Sequence, residues 1–186
     1  MKVLIQLVTR IEATLAFAAA IILAAVMVIV SADVAMRYVF NQPFGWSYDL
    51  ISLYLTLALF YFCLSRAFDQ HAHVGVDILH YYVSRKTRLV FNAITCVASA
   101  PVFALIALEC GKRAAATFAH HDVLAGAIAW PTWAFIVLAP IGAGLLTVRL
   151  LLNAVAYLVP LFGGPETIPL PALARSDEGI EQAAFE

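Results

Sequence analysis

The sequence predicts an all-α integral membrane protein with four transmembrane helices. Hydrophobic residues make up 63% of the 186 residues, charged residues only 12%, and the mean hydropathy is +0.91. A soluble domain carries about 25% charged residues, and one core of this size cannot hide so much apolar surface. The net charge of -1 gives no support for nucleic-acid binding.

Four apolar segments are long enough to cross a bilayer, which takes about 20 residues of helix. None of them alternates apolar and polar residues as membrane β-strands do. The second segment is short and reaches spanning length only with its polar flanks at the interfaces. We expect one transmembrane domain, residues 1–160, followed by a flexible cytoplasmic tail, residues 161–186. Within the domain the helices are expected at about 13–36, 46–68, 89–111 and 131–158.

The first apolar segment has two interpretations. Lys2 and Arg10 precede it, and Val30-Ser31-Ala32 resembles a signal-peptidase site. However, signal peptides have an apolar core of about 7–15 residues, and this core is longer. An uncleaved anchor helix is therefore favoured.

The distribution of Lys and Arg predicts the orientation, because cytoplasmic loops carry an excess of both. Three lie on one predicted side, namely Arg37, Lys112 and Arg113. The other side holds Lys2, Arg10, Arg66, Arg85, Lys86, Arg88, Arg149 and Arg175. Both termini are therefore expected in the cytoplasm.

Helix 1 carries two patterns that each leave an alternative open. Ala16, Ala20 and Ala24 form a stripe of small residues that lets another helix approach closely, unless alanine is simply abundant here. Asp33 and Arg37, four residues apart, share one helical face. They form either an ion pair or two independent interfacial charges.

Helix 2 begins at an aromatic, polar loop and continues as an apolar seam. Trp46 lies where an aromatic belt is expected, with Asp49 three residues later. The seam repeats in steps of four and three and includes Tyr54 and Tyr61. It packs either inside the subunit or against another protein. Its members are Leu50, Tyr54, Leu57, Tyr61, Leu64 and Phe68.

The loop after helix 2 contains a cluster of imidazole and carboxylate groups, namely His71, His73, Asp77 and His80. Their spacing matches no zinc signature, so we expect neither a metal nor another cofactor. A short helix lying on the membrane surface at 76–84 is favoured instead. It would bring Arg85, Lys86 and Arg88 to anionic lipid headgroups.

Two charged residues of the later helices are expected to be solvated. Glu109 lies beside Lys112 and Arg113 at the end of helix 3, where a solvated acid is favoured over a proton relay. Arg149 near the end of helix 4 is expected to extend to the headgroups.

These residues together resemble the small membrane subunit of TRAP (tripartite ATP-independent periplasmic) transporters, the Q-type permease component. The resemblance rests on the order and spacing of short motifs and covers roughly residues 13–152. Asp49 departs from the pattern, because the family more often has glutamate there. The motifs are Arg37-Tyr38, Phe40, Pro43, Trp46, Asp49, Arg66, His73–Asp77, Pro131-Thr132-Trp133 and Pro140-Ile141-Gly142.

The resemblance implies a subunit of the inner membrane without catalytic chemistry of its own. In such systems a secreted binding protein captures an organic anion, often a carboxylate, and a large permease subunit transports it on a sodium gradient. The small subunit is similar to a scaffold for the permease, here a separate chain. The expected partner interface comprises Arg37, Trp46, Asp49, Tyr54, Tyr61, Arg66, His73 and Asp77.

Two other classes of protein compete with this interpretation. A four-helix cytochrome or membrane anchor would ligate haem through histidines inside the membrane, whereas all five histidines here fall in predicted loops. A stand-alone small carrier would need a buried carboxylate in mid-helix, whereas Asp33, Asp49 and Glu109 fall near predicted helix ends.

Overall fold

A computed structural model of the chain describes residues 2–70, 85–125 and 128–162. These ranges form four helices that are long and apolar enough to cross a membrane. Among the described residues the only β-type pairing is an isolated bridge between Val123 and Pro131. The predicted all-α class with four such helices is therefore confirmed. The helices are α1 (Lys2–Phe40), α2 (Ser47–Asp69), α3 (Arg85–Ala119) and α4 (Thr132–Leu158).

The helices α1 and α3 extend beyond their uncharged runs at both ends. Helix α1 begins at Lys2, well before the expected start near residue 13, because the chain has no glycine or proline before Pro43. Both helices end where the backbone turns left-handed, at Asn41 with a φ of 54° and at His121 with a φ of 53°. Asparagine and histidine tolerate this conformation better than most side chains.

Helix α4 is interrupted once, near its start. One α-helical turn covers Thr132–Ile136, Val137 forms a turn, and the helix resumes over Leu138–Leu158. Proline at position 140 explains the break, because it has no N–H to donate to the carbonyl of residue 136. Helix α4 thus combines a short first turn and a long apolar helix.

Helix α4 lies between α2 and α3, and α1 packs mainly on α2. The apolar core is centred on the contact between α3 and α4. Its buried members are Leu89, Ala93, Cys96, Ala100, Leu146, Leu150, Ala154 and Tyr157, with Leu64 and Phe68 of α2 and Phe103 of α3 packed against them. This arrangement leaves α1 at one edge of the bundle.

Several expectations fall outside the described residues. These are the surface helix at 76–84, the proposed roles of His73 and Asp77, and nearly all of the tail that begins at residue 161.

Candidate functional site

An ion cluster joins three helices near the start of α1. The guanidinium of Arg149 on α4 pairs with Glu12 of α1, at 3.3 Å between Nη1 and Oε2, and with Asp69 at the end of α2. Ser65 of α2 donates a hydrogen bond of 2.5 Å to the other carboxylate oxygen of Glu12. The Glu12 side chain is 0% exposed and that of Arg149 is 5% exposed. We call Glu12, Ser65, Asp69 and Arg149 the Arg149 cluster.

The Arg149 cluster is interdependent because its charges are buried. Arg149 Nη1 also donates to the hydroxyl of Thr9, 3.0 Å away, so α1 contributes two of its partners. Removing one member of a buried ion pair costs about 3–5 kcal/mol, since the other charge is left uncompensated. The cluster therefore fixes α1 against α2 and α4. The expectation that Arg149 extends to the headgroups is wrong, because its side chain turns inward to these acids.

The sequence places Glu12 in the interior through helical periodicity. Val8, Glu12, Ala19 and Asp33 are separated by four, seven and fourteen residues, intervals that repeat on one helical face. All four are buried, whereas most other side chains of α1 are not. One narrow stripe thus holds α1 to the bundle, with the acid Glu12 near one end and the acid Asp33 at the other.

A second polar cluster fixes the opposite end of α1. Asp33 Oδ1 accepts hydrogen bonds from the backbone N–H of Phe44, at 2.7 Å, and from the hydroxyl of Ser47, at 3.2 Å. Asp33 Oδ2 pairs with Arg37 Nη2 at 3.1 Å, so of the two alternatives for these charges the ion pair is the one observed. We call Asp33, Arg37 and Ser47 the Asp33 cluster. It orients the loop that leads into α2.

Tyr54 connects α2 to the loop before α4. Its hydroxyl donates a hydrogen bond of 2.6 Å to the carbonyl oxygen of Pro131, and its ring contacts Trp130 and Phe135 at centroid distances of 5.7 and 5.5 Å. Tyr54 lies in a π-helical segment, Leu50–Leu55, which changes the helical phase at this level of α2. The upper part of the seam is therefore engaged within the subunit.

Tyr61 marks a close approach between α2 and α4. A Cβ atom added at Gly142 would overlap the backbone carbonyl and the Cβ of Tyr61. Lower in the seam, Leu64 and Phe68 pack against the core of α3 and α4. Of the two alternatives for the seam, packing inside the subunit is thus observed at Tyr54, Tyr61, Leu64 and Phe68. A contact of Tyr54 or Tyr61 with a second protein stays a prediction.

The remaining predicted interface residues do not converge on one pocket. Arg37 is exposed, while Trp46, Asp49 and Arg66 are half-buried. Trp46 stacks on Phe44 at a centroid distance of 5.5 Å, at the end of the bundle opposite Arg66. These residues therefore lie at both ends of α2.

Sequence reasoning missed Glu12, Ser65 and Asp69. Glu12 was placed outside the first span because the uncharged run begins one residue later. One signal pointed to it: Arg149 is the only charge in the last apolar segment, and a charge inside the membrane needs a partner. That the partner would come from α1, 137 residues earlier, was not visible in the sequence.

Glu109 pairs with Lys112 at 2.8 Å, and both side chains are more than half exposed. The pair agrees with the expectation of a solvated acid at this end of α3. Within the described ranges no group of three or more His, Cys, Asp or Glu residues could hold a metal ion. All four candidate ligands, His71, His73, Asp77 and His80, lie outside those ranges.

Comparison with protein families identifies one match. Residues 26–159 match the model described as "Tripartite ATP-independent periplasmic transporters, DctQ component". The match begins inside α1 and extends to the end of α4. Comparison with curated proteins and with solved structures gives no significant match.

Proposed function

We propose that this chain, which belongs to the DctQ family of tripartite ATP-independent periplasmic transporters, scaffolds the large permease subunit of such a system. The permease would take up an organic anion of the carboxylate class on a sodium gradient, after a periplasmic binding protein delivers it. The observation that carries this proposal is the family match over residues 26–159. The small subunit itself performs no catalytic step.

The exposed surface of α1 supports a scaffolding role. In the most apolar 18-residue stretch of α1, only 6% is buried inside the chain, whereas the corresponding share for α4 is 33%. Ala20 and Ala24 of the alanine stripe are exposed, and the bulky Phe17, Met27 and Val28 lie exposed nearby. Small residues between larger ones let two helices pack closely in lipid, where hydrophobicity alone gives no attraction. We infer that this face of α1 contacts the permease.

The residues around α2 form the second part of the proposed interface. Arg37, Trp46 and Asp49 lie at one end of α2 and Arg66 at the other, and His73 and Asp77, which follow α2 in the chain, are added from the sequence. Charged and aromatic groups at both ends of one span suit a permanent contact along the whole membrane depth. Tyr54 and Tyr61, already engaged by α4, would act by holding α2 in position.

The Arg149 cluster favours a scaffold over a stand-alone carrier. A carrier needs a carboxylate that is free to exchange a proton or an ion. Both carboxylate oxygens of Glu12 are engaged, by Ser65 and by Arg149. Proteoliposomes that contain this chain alone are therefore expected to show no uptake, and robust uptake would overturn the scaffold.

The proposed location is the bacterial inner membrane, with both termini in the cytoplasm. The predicted excess of Lys and Arg on the terminal side supports this orientation. In it, the Asp33 cluster faces the periplasm and the Arg149 cluster lies towards the cytoplasm.

The test is co-purification of the permease with variants of this subunit. Ala20→Phe is expected to weaken retention of the permease and to reduce uptake in parallel, because it fills the close-packing stripe of α1. Ala115→Phe, an exposed alanine of α3, is the matched control and should retain the permease. Retention of the permease by Ala20→Phe at wild-type levels would contradict the α1 interface.

The residues around α2 are tested in the same way. Arg37→Ala, Trp46→Ala and Arg66→Ala are each expected to lower permease retention and uptake together. The affinity of the soluble binding protein for its substrate should stay unchanged. If these variants hold the permease normally while uptake is lost, this region acts in transport directly and the scaffold proposal fails.

A further inference from the structure

An apolar groove runs along α3 beside the end of α4. It has a volume of about 340 Å³ and is lined by Val90, Ala93, Ile94, Val97 and Ala98 of α3 and by Leu158 of α4. Ala93 forms a buried floor, while Ile94 and Val97 are each more than half exposed and stand along one side. Small residues between large ones form an apolar groove that suits a hydrocarbon chain.

The first turn of α3 adds positive charge at one end of this groove. The turn contains Lys86 and no acidic residue. A helix N-terminus already carries positive partial charge, so a lysine there is unfavourable unless an anion is nearby. An anionic group beside Lys86 is therefore favoured at this end of the groove.

Helical register connects this charge to the groove. Lys86, Val90, Ala93 and Val97 are spaced by four, three and four residues and share one face of α3. Lys86 is exposed, so its side chain is accessible to a ligand on this face. From Lys86 to Val97 the helix rises about 16 Å at 1.5 Å per residue. That length is close to one leaflet of hydrocarbon, about half of a 30 Å core.

We propose that this groove is a binding site for an anionic phospholipid. One acyl chain lies between α3 and the end of α4, and the phosphate headgroup contacts Lys86 at the first turn of α3. This site is more specific than general attraction of basic residues to a membrane surface, because headgroup and acyl chain bind to the same helical face. The inference depends on the membrane location of the chain and not on its transport partners.

Native mass spectrometry of the purified chain tests the site. The probes are dioleoyl-phosphatidylglycerol and dioleoyl-phosphatidylcholine, which share acyl chains and differ in net charge. The wild type should retain the first phosphatidylglycerol about fivefold better, the effect typical of one lysine near an anionic headgroup. Lys86→Gln should abolish this preference, whereas Lys112→Gln, on the same helix and outside the groove, should retain it. Equal binding of the two lipids by the wild type would refute the proposal.

The groove itself is tested by filling it. Ala98→Phe should reduce retention of both lipids, whereas Ala115→Phe, also an exposed alanine of α3, should not. Circular dichroism confirms that each variant is folded before lipids are added. If Ala98→Phe binds both lipids like the wild type, no acyl chain occupies the groove. If it releases the permease and leaves lipid binding intact, the groove is an intersubunit contact and the proposal is wrong.

Discussion

Arg149→Met tests the Arg149 cluster most directly. Methionine keeps an apolar stem of similar reach and forms helix well, so the main change is the loss of the guanidinium. Glu12, with 0% side-chain exposure, then loses the cation paired with it, whereas Asp69 keeps contact with water through a side chain that is 26% exposed. The cost is therefore dominated by Glu12. We expect a loss of about 3–5 kcal/mol in the free energy of unfolding, the typical result of removing one partner from a buried ion pair.

A double-mutant cycle separates this charge effect from lost packing. Glu12→Gln keeps an oxygen that can accept the Ser65 hydrogen bond and leaves Arg149 paired with Asp69, so it should cost less than Arg149→Met. The double variant buries no unpaired Glu12 carboxylate. The double variant should lose less free energy of unfolding than the two single variants together. The difference measures the coupling between Glu12 and Arg149.

The assay is unfolding of the purified chain in mixed micelles, followed by circular dichroism as the fraction of denaturing detergent increases. Lys112→Met is the control, because Lys112 and its partner Glu109 are both solvent-exposed and its loss should leave the midpoint unchanged. An Arg149→Met midpoint equal to that of Lys112→Met would refute the argument. Strictly additive losses in the double variant would show that the two residues act independently.

Two further predictions concern packing and topology. Gly142→Ala should destabilise the chain by about 1–3 kcal/mol, because the added methyl group meets the backbone of α2, whereas Gly144→Ala, with open space around it, should be neutral or stabilising. Equal midpoints for these two variants in the same assay would exclude the close approach of the helices. In a background without native cysteines, single cysteines at Gln42 and His121 should react with an impermeant thiol reagent from the periplasm, and one at Gln70 should not. The reverse labelling pattern would invert the proposed orientation.

The four helices could be predicted from the sequence because each one is encoded locally. Uncharged length selects the spans, and proline or glycine sets several of their ends. The second and fourth helices, over Ser47–Asp69 and Thr132–Leu158, lie within a residue of their expected bounds. The first and third are longer than expected because charge was taken as the limit of a span, although a charged residue does not end a helix.

The Arg149 cluster could not be predicted in the same way, because it depends on which helices are neighbours. Periodicity places Glu12 and Asp33 on one face of α1, but it does not say that α2 and α4 lie on that face. The seam of α2 shows the same limit. Its spacing indicates a packing surface, and only the structure identifies α4 as its partner through Tyr54 and Pro131.

The pairing of the first helix with the last has a consequence for synthesis. Glu12 and Arg149 are separated by 137 residues, so at about 5–20 residues per second the cation is made about 7–27 s after the acid. Throughout that interval α1 carries a carboxyl group whose protein counter-ion does not yet exist, and water or the insertion machinery must accommodate it. The Glu12–Arg149 ion pair can form only after α4 enters the membrane. A chain that stops before Arg149 therefore leaves Glu12 without its ion-pair partner, although α1 and its contacts with α2 are complete.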